Sequence, residues 1–226
     1  MWQKAGLKYF WGDPFDSRFY ITYLVSKEKV DTLLDLGCGA GVISHFANAS
    51  FKIGIDSSFE SLLAAKKIDS ELQLIHGDVR NLPFKDEFAS NILAIHIISA
   101  FMSKYDRKKT CKEIKRIASK NSKILIVGSN RRSKHFEKTL SKENRFSYPH
   151  AKEMVDAFKT DFQVNIEGFG PFSRFVMFPF KIIYKIPEKI SENFMIERFL
   201  FRLLRSKKYL KDGRSYVMVC KRNLNS

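Results

Sequence analysis

The residues best suited to bind a ligand lie in the segment "DLGCGAG", residues 35–41, where an aspartate precedes three glycines at alternate positions. Glycine lets backbone amides approach a ligand closely, and a helix that begins after such a loop attracts a carboxylate. A dinucleotide-binding loop would place its third glycine where Val42 stands, and Asp35 would repel a pyrophosphate. Because Asp35 suits an ammonium group instead, the loop is predicted to bind a zwitterionic amino-acid moiety.

Two further aspartates end predicted strands. Asp56 lies fifteen residues after Gly41, and Asp78 lies twenty-two residues further on. Each has a simpler interpretation, since Asp56 would also cap a helix that begins at Ser57 or Ser58, and Asp78 would also close a side-chain turn before residues 81–83. Together they predict a line of polar groups along one edge of a sheet.

Short apolar, β-rich runs alternate with segments of helical spacing. A serine cap follows Asp56, and one helical stripe is formed by Cys111, Ile114, Ile117 and Ala118. This alternation predicts an α/β fold, a mostly parallel sheet with helices on both faces and a late pair of strands. The predicted strands are residues 31–37, 51–56, 72–78, 91–98, 123–129, 162–170 and 215–222.

Across residues 30–130 these features resemble the class I S-adenosylmethionine-dependent methyltransferases, in particular the small-molecule and lipid-quinone branch called methyltransferase type 11. The matching segments are "LLDLGCGAG", "IGIDSS" and "HGDVRNLPFKDEFAS". The resemblance implies a Rossmann-like, doubly wound seven-stranded sheet that ends in an antiparallel strand pair, with S-adenosylmethionine as cofactor. It also implies cofactor contacts at Asp35, Gly37, Cys38, Gly39, Gly41, Asp56, Ser57, Asp78, Val79 and Ala94.

Within that set the resemblance gives three residues particular roles. Asp56 is expected to bind both ribose hydroxyls, because a carboxylate accepts two hydrogen bonds. Asp78 is expected to accept from the adenine amino group, and the Val79 backbone to meet the ring. The chain departs from the family at "FASN" (88–91) and "SKNS" (119–122), which lie away from the glycine loop and bear on subfamily placement.

Methyl transfer of this kind requires no universal catalytic residue, since the sulfonium methyl group is already activated and alignment does most of the work. If the acceptor is a hydroxyl, a base would help, and the candidates are His96, Tyr148 and His150. A single histidine in an apolar run such as that around His96 is more often an ordinary buried side chain. No His, Asp or Glu spacing requires a metal site.

The formal charge of +16 is unevenly distributed along the 226 residues. Residues 1–100 hold 10 Lys+Arg and 12 Asp+Glu, a net of −2, whereas residues 101–226 hold 30 and 12, a net of +18. The basic blocks 106–116 and 205–214 suit a phosphate-bearing partner, either nucleic acid or an anionic membrane. Solvated helix faces explain such blocks equally well.

Composition sets the broad class of the chain. A hydrophobic content of 44% supports a sizeable core, and we expect one methyltransferase domain over residues 1–226. No apolar run reaches the roughly 18 residues that span a bilayer, and no secretion signal is recognisable. Three widely spaced cysteines argue against a disulfide framework, so the expected location is the cytoplasm, with membrane association open.

The acceptor is expected to contact segments outside the cofactor-binding core of residues 31–130. Residues 1–30 are predicted to form N-terminal lid helices, and the aromatic and basic insertion 171–214 is predicted to be a substrate lid or a membrane contact. The leading hypothesis is methyl transfer to a small, apolar or lipid-linked acceptor. An RNA methyltransferase that uses the basic half, and a cofactor-binding homologue without catalysis, are the alternatives; the oligomeric state stays open.

Overall fold

The computed structural model describes residues 17–129, 151–169, 205–206 and 215–223. Its helices are α1 Ser17–Lys27, α2 Val42–Phe46, α3 Phe59–Ile68, α4 Ile97–Ala100, α5 Lys104–Ile117 and α6 Ala151–Phe158. Its strands are β1 Val30–Leu36, β2 Ala49–Asp56, β3 Gln73–His76, β4 Ala89–Ile95, β5 Ala118–Ser129, β6 Phe162–Phe169, β7 Arg205–Ser206 and β8 Ser215–Arg222.

All these strands form one sheet in the order β3-β2-β1-β4-β5-β8-β6-β7. The first five pair in parallel, and β8 lies antiparallel between β5 and β6. The prediction of a doubly wound, mostly parallel sheet of seven strands with a late antiparallel pair is therefore confirmed. The two-residue strand β7, which falls inside the predicted insertion 171–214, adds a short edge beside β6.

The core lies on both faces of this sheet, because alternate side chains of each strand point to opposite faces. Leu34 and Leu36 of β1 belong to one apolar cluster, which Ile114 and Ile117 of α5 also join. Leu33 belongs to the other, with Ile21 of α1 and Ala47. The predicted stripe is thus confirmed as the buried face of α5 at Cys111, Ile114 and Ile117, whereas Ala118 is buried as the first residue of β5.

Several predicted strand boundaries are wrong: β5 begins at Ala118 rather than at residue 123, and β3 ends at His76 rather than at residue 78. The boundary that matters most for the site is the end of β4. The apolar run 91–98 was expected to be a continuous strand, but β4 ends at Ile95, His96 adopts a φ of 60°, and α4 begins at Ile97. An apolar run shows burial but does not distinguish a strand from a short buried helix. His96 consequently lies in the turn after the strand.

Register aligns the carboxyl ends of the parallel strands. Asp35 pairs with Gly54 and Leu93, and Asp56 pairs with His76. The segments that follow β1, β2, β3 and β4 therefore emerge at the same edge of the sheet, which we call the carboxyl edge. Among the described residues, no helix is long and apolar enough to cross a bilayer.

Candidate functional site at the carboxyl edge

The glycine loop leaves β1 in a series of left-handed backbone conformations. Gly37, Gly39 and Gly41 have φ values of 72°, 54° and 68°. The amides of Gly37 and Cys38 donate to the Ile55 carbonyl at 2.8 and 3.1 Å, and the Gly41 amide donates to the Cys38 carbonyl at 2.9 Å. These bonds fix the loop against β2 before α2 begins.

Steric crowding explains why Gly37 and Gly41 lack a side chain, whereas the space around Gly39 is open in the described part of the chain. A Cβ atom at Gly41 would lie 2.8 Å from the Leu72 side chain, and one at Gly37 would lie 2.8 Å from Ile97. At Gly39 an added Cβ would meet nothing within 4 Å in the described part of the chain. The loop is thus packed on its inner side and open at Gly39.

Asp56 ties the glycine loop to the end of β2. Its Oδ2 accepts from the Gly39 amide at 2.8 Å, and its Oδ1 accepts from the Ser58 amide at 2.9 Å. Ser58, rather than Asp56, caps α3 by accepting from the Ser61 amide at 3.2 Å. The predicted serine cap is confirmed, so the carboxylate of Asp56 serves the loop and its own turn.

Asp35 lies at the end of β1 and is only 3% exposed. Burial raises its pKa to about 6, the nearby Asp56 carboxylate adds to the rise, and a hydrogen bond from Ser44 opposes it. The Ser44 hydroxyl donates to Oδ2 at 2.5 Å. Asp35 is therefore a buried acid that changes charge just below neutral pH.

Cys38 contributes shape to the loop. A Cβ atom at Gly54 would lie 2.7 Å from the Cys38 sulfur. The Cys38 side chain therefore packs over β2 in the space that a side chain at Gly54 would need. Burial raises the pKa of the thiol, and Asp35 and Asp56 add to the rise. A thiol held protonated in this way is a poor nucleophile.

Asp78 follows β3 and is held by Arg80. Its Oδ1 accepts from the Arg80 amide at 2.8 Å, which forms the side-chain turn considered from the sequence, and the guanidinium also bonds both carboxylate oxygens. The hydrogen bonds from Arg80 hold the pKa of Asp78 below its ordinary value. Val79 is buried in the core, which leaves its backbone as the part able to meet a ligand.

The turn after β4 lies against the glycine loop through the contact of Ile97 with Gly37. The His96 amide donates to the Val127 carbonyl at 2.8 Å, and its carbonyl accepts from Ala100 and from the Ser99 hydroxyl. A left-handed non-glycine residue is uncommon and marks a strained position. His96 is half-buried, whereas Ala94 before it is fully buried in the strand.

Arg107 of α5 holds the segment between α4 and α5. Its guanidinium donates to the Phe101 and Met102 carbonyls at 3.0 and 2.8 Å. It also pairs with Glu153 of α6 at 3.3 Å. The Arg107 side chain is buried, so it holds the segment that follows β4 from the interior of the protein.

The predicted site residues separate into two groups. The glycine loop, Asp56, Ser57 and Asp78 all lie at the carboxyl edge, whereas Tyr148 and His150 lie outside the described residues.

Sequence reasoning missed Ser44, Arg80 and Ile97. Only Arg80 had a local signal, its position two residues after an aspartate, because the other two contacts depend on how separate elements meet. Among the described residues no three metal-binding side chains come together.

Comparison with known proteins identifies the family to which this chain belongs. A family model described as a methyltransferase domain matches residues 27–167, and the chain belongs to that family. S-adenosylmethionine is the cofactor of the family. The resemblance to the class I S-adenosylmethionine-dependent methyltransferases, and the cofactor it implied, are thus confirmed, whereas membership of the type 11 branch stays a prediction.

Individual relatives have different acceptors. The chain is 27% identical over 105 residues to a tRNA (carboxymethyluridine(34)-5-O)-methyltransferase of Arabidopsis thaliana, covering 46% of this chain and 26% of that protein. It is 26% identical over 111 residues to a demethylmenaquinone methyltransferase of Thermotoga maritima, covering 47% of each. This chain therefore spans between a quarter and a half of the length of these curated relatives.

A solved structure supports the fold. The N-methyltransferase NodS from Bradyrhizobium japonicum, in complex with S-adenosyl-l-homocysteine, superposes with a TM-score of 0.61 at 11% identity. The alignment covers 94% of this chain and 89% of that chain. At this identity the likeness shows the fold alone.

Proposed function

We propose that this chain transfers the methyl group of S-adenosylmethionine to an acceptor held at the carboxyl edge. The observation that carries the proposal is the convergence there of an open glycine loop with the carboxylates of Asp56 and Asp78. The residues fit the cofactor: the open side at Gly39 leaves room for the amino-acid moiety. Asp56 offers acceptors for the ribose hydroxyls and Asp78 for the adenine amino group.

The cofactor supplies an activated sulfonium methyl group, and the chain's own residues supply position. The glycine loop, fixed by Asp56 through Gly39, orients the amino-acid end. Asp35 adds negative charge that favours an ammonium group nearby. The turn at His96 lies beside the glycine loop, which makes this histidine a candidate base for a hydroxyl acceptor. Tyr148 and His150 keep the same proposed role.

For the acceptor we propose first a small, apolar or lipid-linked molecule. Its support is the aromatic and basic sequence of residues 171–214, which lies largely outside the described residues, together with the quinone-type relative. The same segment is proposed as a substrate lid or as a peripheral contact with an anionic membrane, in a protein of the cytoplasm. Residues 1–30 are proposed to form a second lid.

A second acceptor class, RNA, is favoured by the outer face of α5. There Tyr105 is 73% exposed, between lysines that form no ion pair within the described part of the chain. Lysines that contact phosphates, with an aromatic ring on which a base stacks, are the usual composition of a single-strand binding surface. This lysine face consists of Lys104, Tyr105, Lys108, Lys109 and Lys112.

The experiment is transfer of a tritiated methyl group from S-adenosylmethionine to separated lipid and RNA fractions, with wild type and Asp56→Ala in parallel. Label in lipid that is lost in the variant supports the first acceptor class, and label in RNA supports the second. Cofactor binding without transfer to either fraction would contradict the proposed enzyme and favour a non-catalytic homologue.

A further inference from the structure

Arg80 makes a dense set of contacts at the carboxyl edge. Its Nε lies 3.0 Å from both carboxylate oxygens of Asp78, and one terminal nitrogen lies 2.6 Å from Oδ2. With the Arg80 amide on Oδ1, three N–H groups of Arg80 donate to one carboxylate, and the single Nε–H is shared between its two oxygens. Such a planar, forked contact fixes the orientation of a carboxylate as well as its charge.

The same guanidinium reaches the element that follows β4. Its other terminal nitrogen lies 3.0 Å from Asp106 in the first turn of α5, and its carbon lies 5.3 Å from the centre of the Phe101 ring. Asp106 is itself held, because its amide donates to the helix-capping Ser103 hydroxyl at 3.4 Å. Arg80 therefore joins Asp78 to the start of α5.

An ionised carboxylate accepts hydrogen bonds but donates none, so when correctly oriented it distinguishes an exocyclic amino group from a carbonyl oxygen. Asp78 has a 43% exposed side chain, so without a fixed partner it would sample several rotamers. Site groups built to accept from an amino group reject an analogue that presents an acceptor there, because two acceptors then face each other. The orientation of Asp78 should therefore control recognition of the base.

We propose that Arg80 is a positioning residue that holds Asp78 for the adenine amino group and so determines the preference for adenine over hypoxanthine. This inference rests on the proposed cofactor site. Asp106 supports the arrangement by holding the far side of the guanidinium. Arg80 touches no reacting atom, and it acts through Asp78.

Arg116 of α5 provides a matched control, because it holds the same connection between β3 and β4. It donates to the Leu82 and Phe84 carbonyls at 3.1 and 2.7 Å and pairs with Asp86 and Glu113. Its loss would loosen the segment that carries Asp78 without removing a contact to that carboxylate. A purely structural role of Arg80 would therefore be reproduced by Arg116→Gln.

The test is calorimetric titration with S-adenosylhomocysteine and with S-inosylhomocysteine, in which a carbonyl oxygen replaces the adenine amino group. We expect Arg80→Gln to reduce the ratio of the two affinities about tenfold, equivalent to about one charge-assisted hydrogen bond. Arg80→Lys should restore part of the ratio, since lysine keeps the charge but not the fork. Arg116→Gln should retain the wild-type ratio.

An unchanged ratio in Arg80→Gln, or an equal fall in Arg116→Gln, would overturn the proposal. If Arg80→Gln does not fold, as judged by thermal unfolding, Asp106→Asn decides: a fall of about threefold supports the proposal and no fall overturns it. Wild-type protein that binds neither compound would instead remove the proposed cofactor site. The two failures are therefore distinguishable.

Discussion

The carboxyl edge and the lysine face of α5 differ in how their charged side chains are held. At the edge, Asp35, Asp56 and Asp78 each accept defined hydrogen bonds, from Ser44, Gly39 and Arg80. On the lysine face, Lys108 and Lys112 extend into solvent with no ion pair among the described residues. A site whose acids are already oriented is suited to one small ligand, whereas exposed lysines suit a polyanion that needs no exact fit.

The largest effect should come from Asp56→Ala, which removes the proposed ribose acceptor and the anchor of the Gly39 amide together. We expect affinity for S-adenosylhomocysteine to fall by about 100-fold or more, as charged hydrogen bonds in a preformed site are lost. Equilibrium dialysis with labelled ligand measures it. Asp31→Ala, an exposed aspartate at the opposite end of the same sheet, is the control and should bind normally. Equal affinities of the Asp56→Ala and Asp31→Ala variants would contradict the role proposed for Asp56.

The packed and open sides of the glycine loop predict unequal costs of an added methyl group. Gly41→Ala should lower the free energy of unfolding by ~2–4 kcal/mol, because a strained φ combines with overpacking against Leu72. Gly39→Ala should cost only ~1 kcal/mol, the conformational part alone. Urea denaturation measures both. Similar costs at the two positions would contradict the geometry of the loop.

Cofactor affinity should depend on pH through Asp35. Burial raises its pKa to about 6, so its own ionisation destabilises the fold as the pH rises from about 4 through 6. A ligand with an ammonium group favours the ionised form, so affinity for S-adenosylhomocysteine should rise about tenfold from pH 5 to pH 7. Calorimetry at stepped pH tests this, and Asp35→Asn should give a flat profile. A wild-type affinity that does not change with pH would contradict a role of Asp35 in ligand binding.

The smallest effect is expected at the lysine face. Replacing Lys104, Lys108 and Lys112 by alanine should weaken binding to a single-stranded oligouridylate and reduce its dependence on log salt by about 2, since each phosphate contact contributes about 0.7. Fluorescence anisotropy across salt concentrations measures the slope. The control replaces Lys66 and Lys67, exposed on α3, and should leave it unchanged. A loss confined to anionic vesicles would assign the face to membranes.

The sequence predicted the sheet because apolar runs and their period are local signals. It also predicted Asp56 at the end of β2, whereas Asp78 lies beyond the end of β3 at His76, in the segment that emerges at the same edge. It could not predict the left-handed turn at His96, because tertiary packing, not residue type, selects that conformation. Nor could it pair Arg80 with Asp106, which lies 26 residues away on another element.

The central claim, that the carboxyl edge binds S-adenosylmethionine, is tested most directly by amide hydrogen exchange of wild-type protein with and without S-adenosylhomocysteine. The account predicts slower exchange at residues 37–41, 56–58 and 78–80, where the loop and the two carboxylates lie. No change there, or protection confined to the opposite edge around residues 119–123 and 221–223, would contradict it.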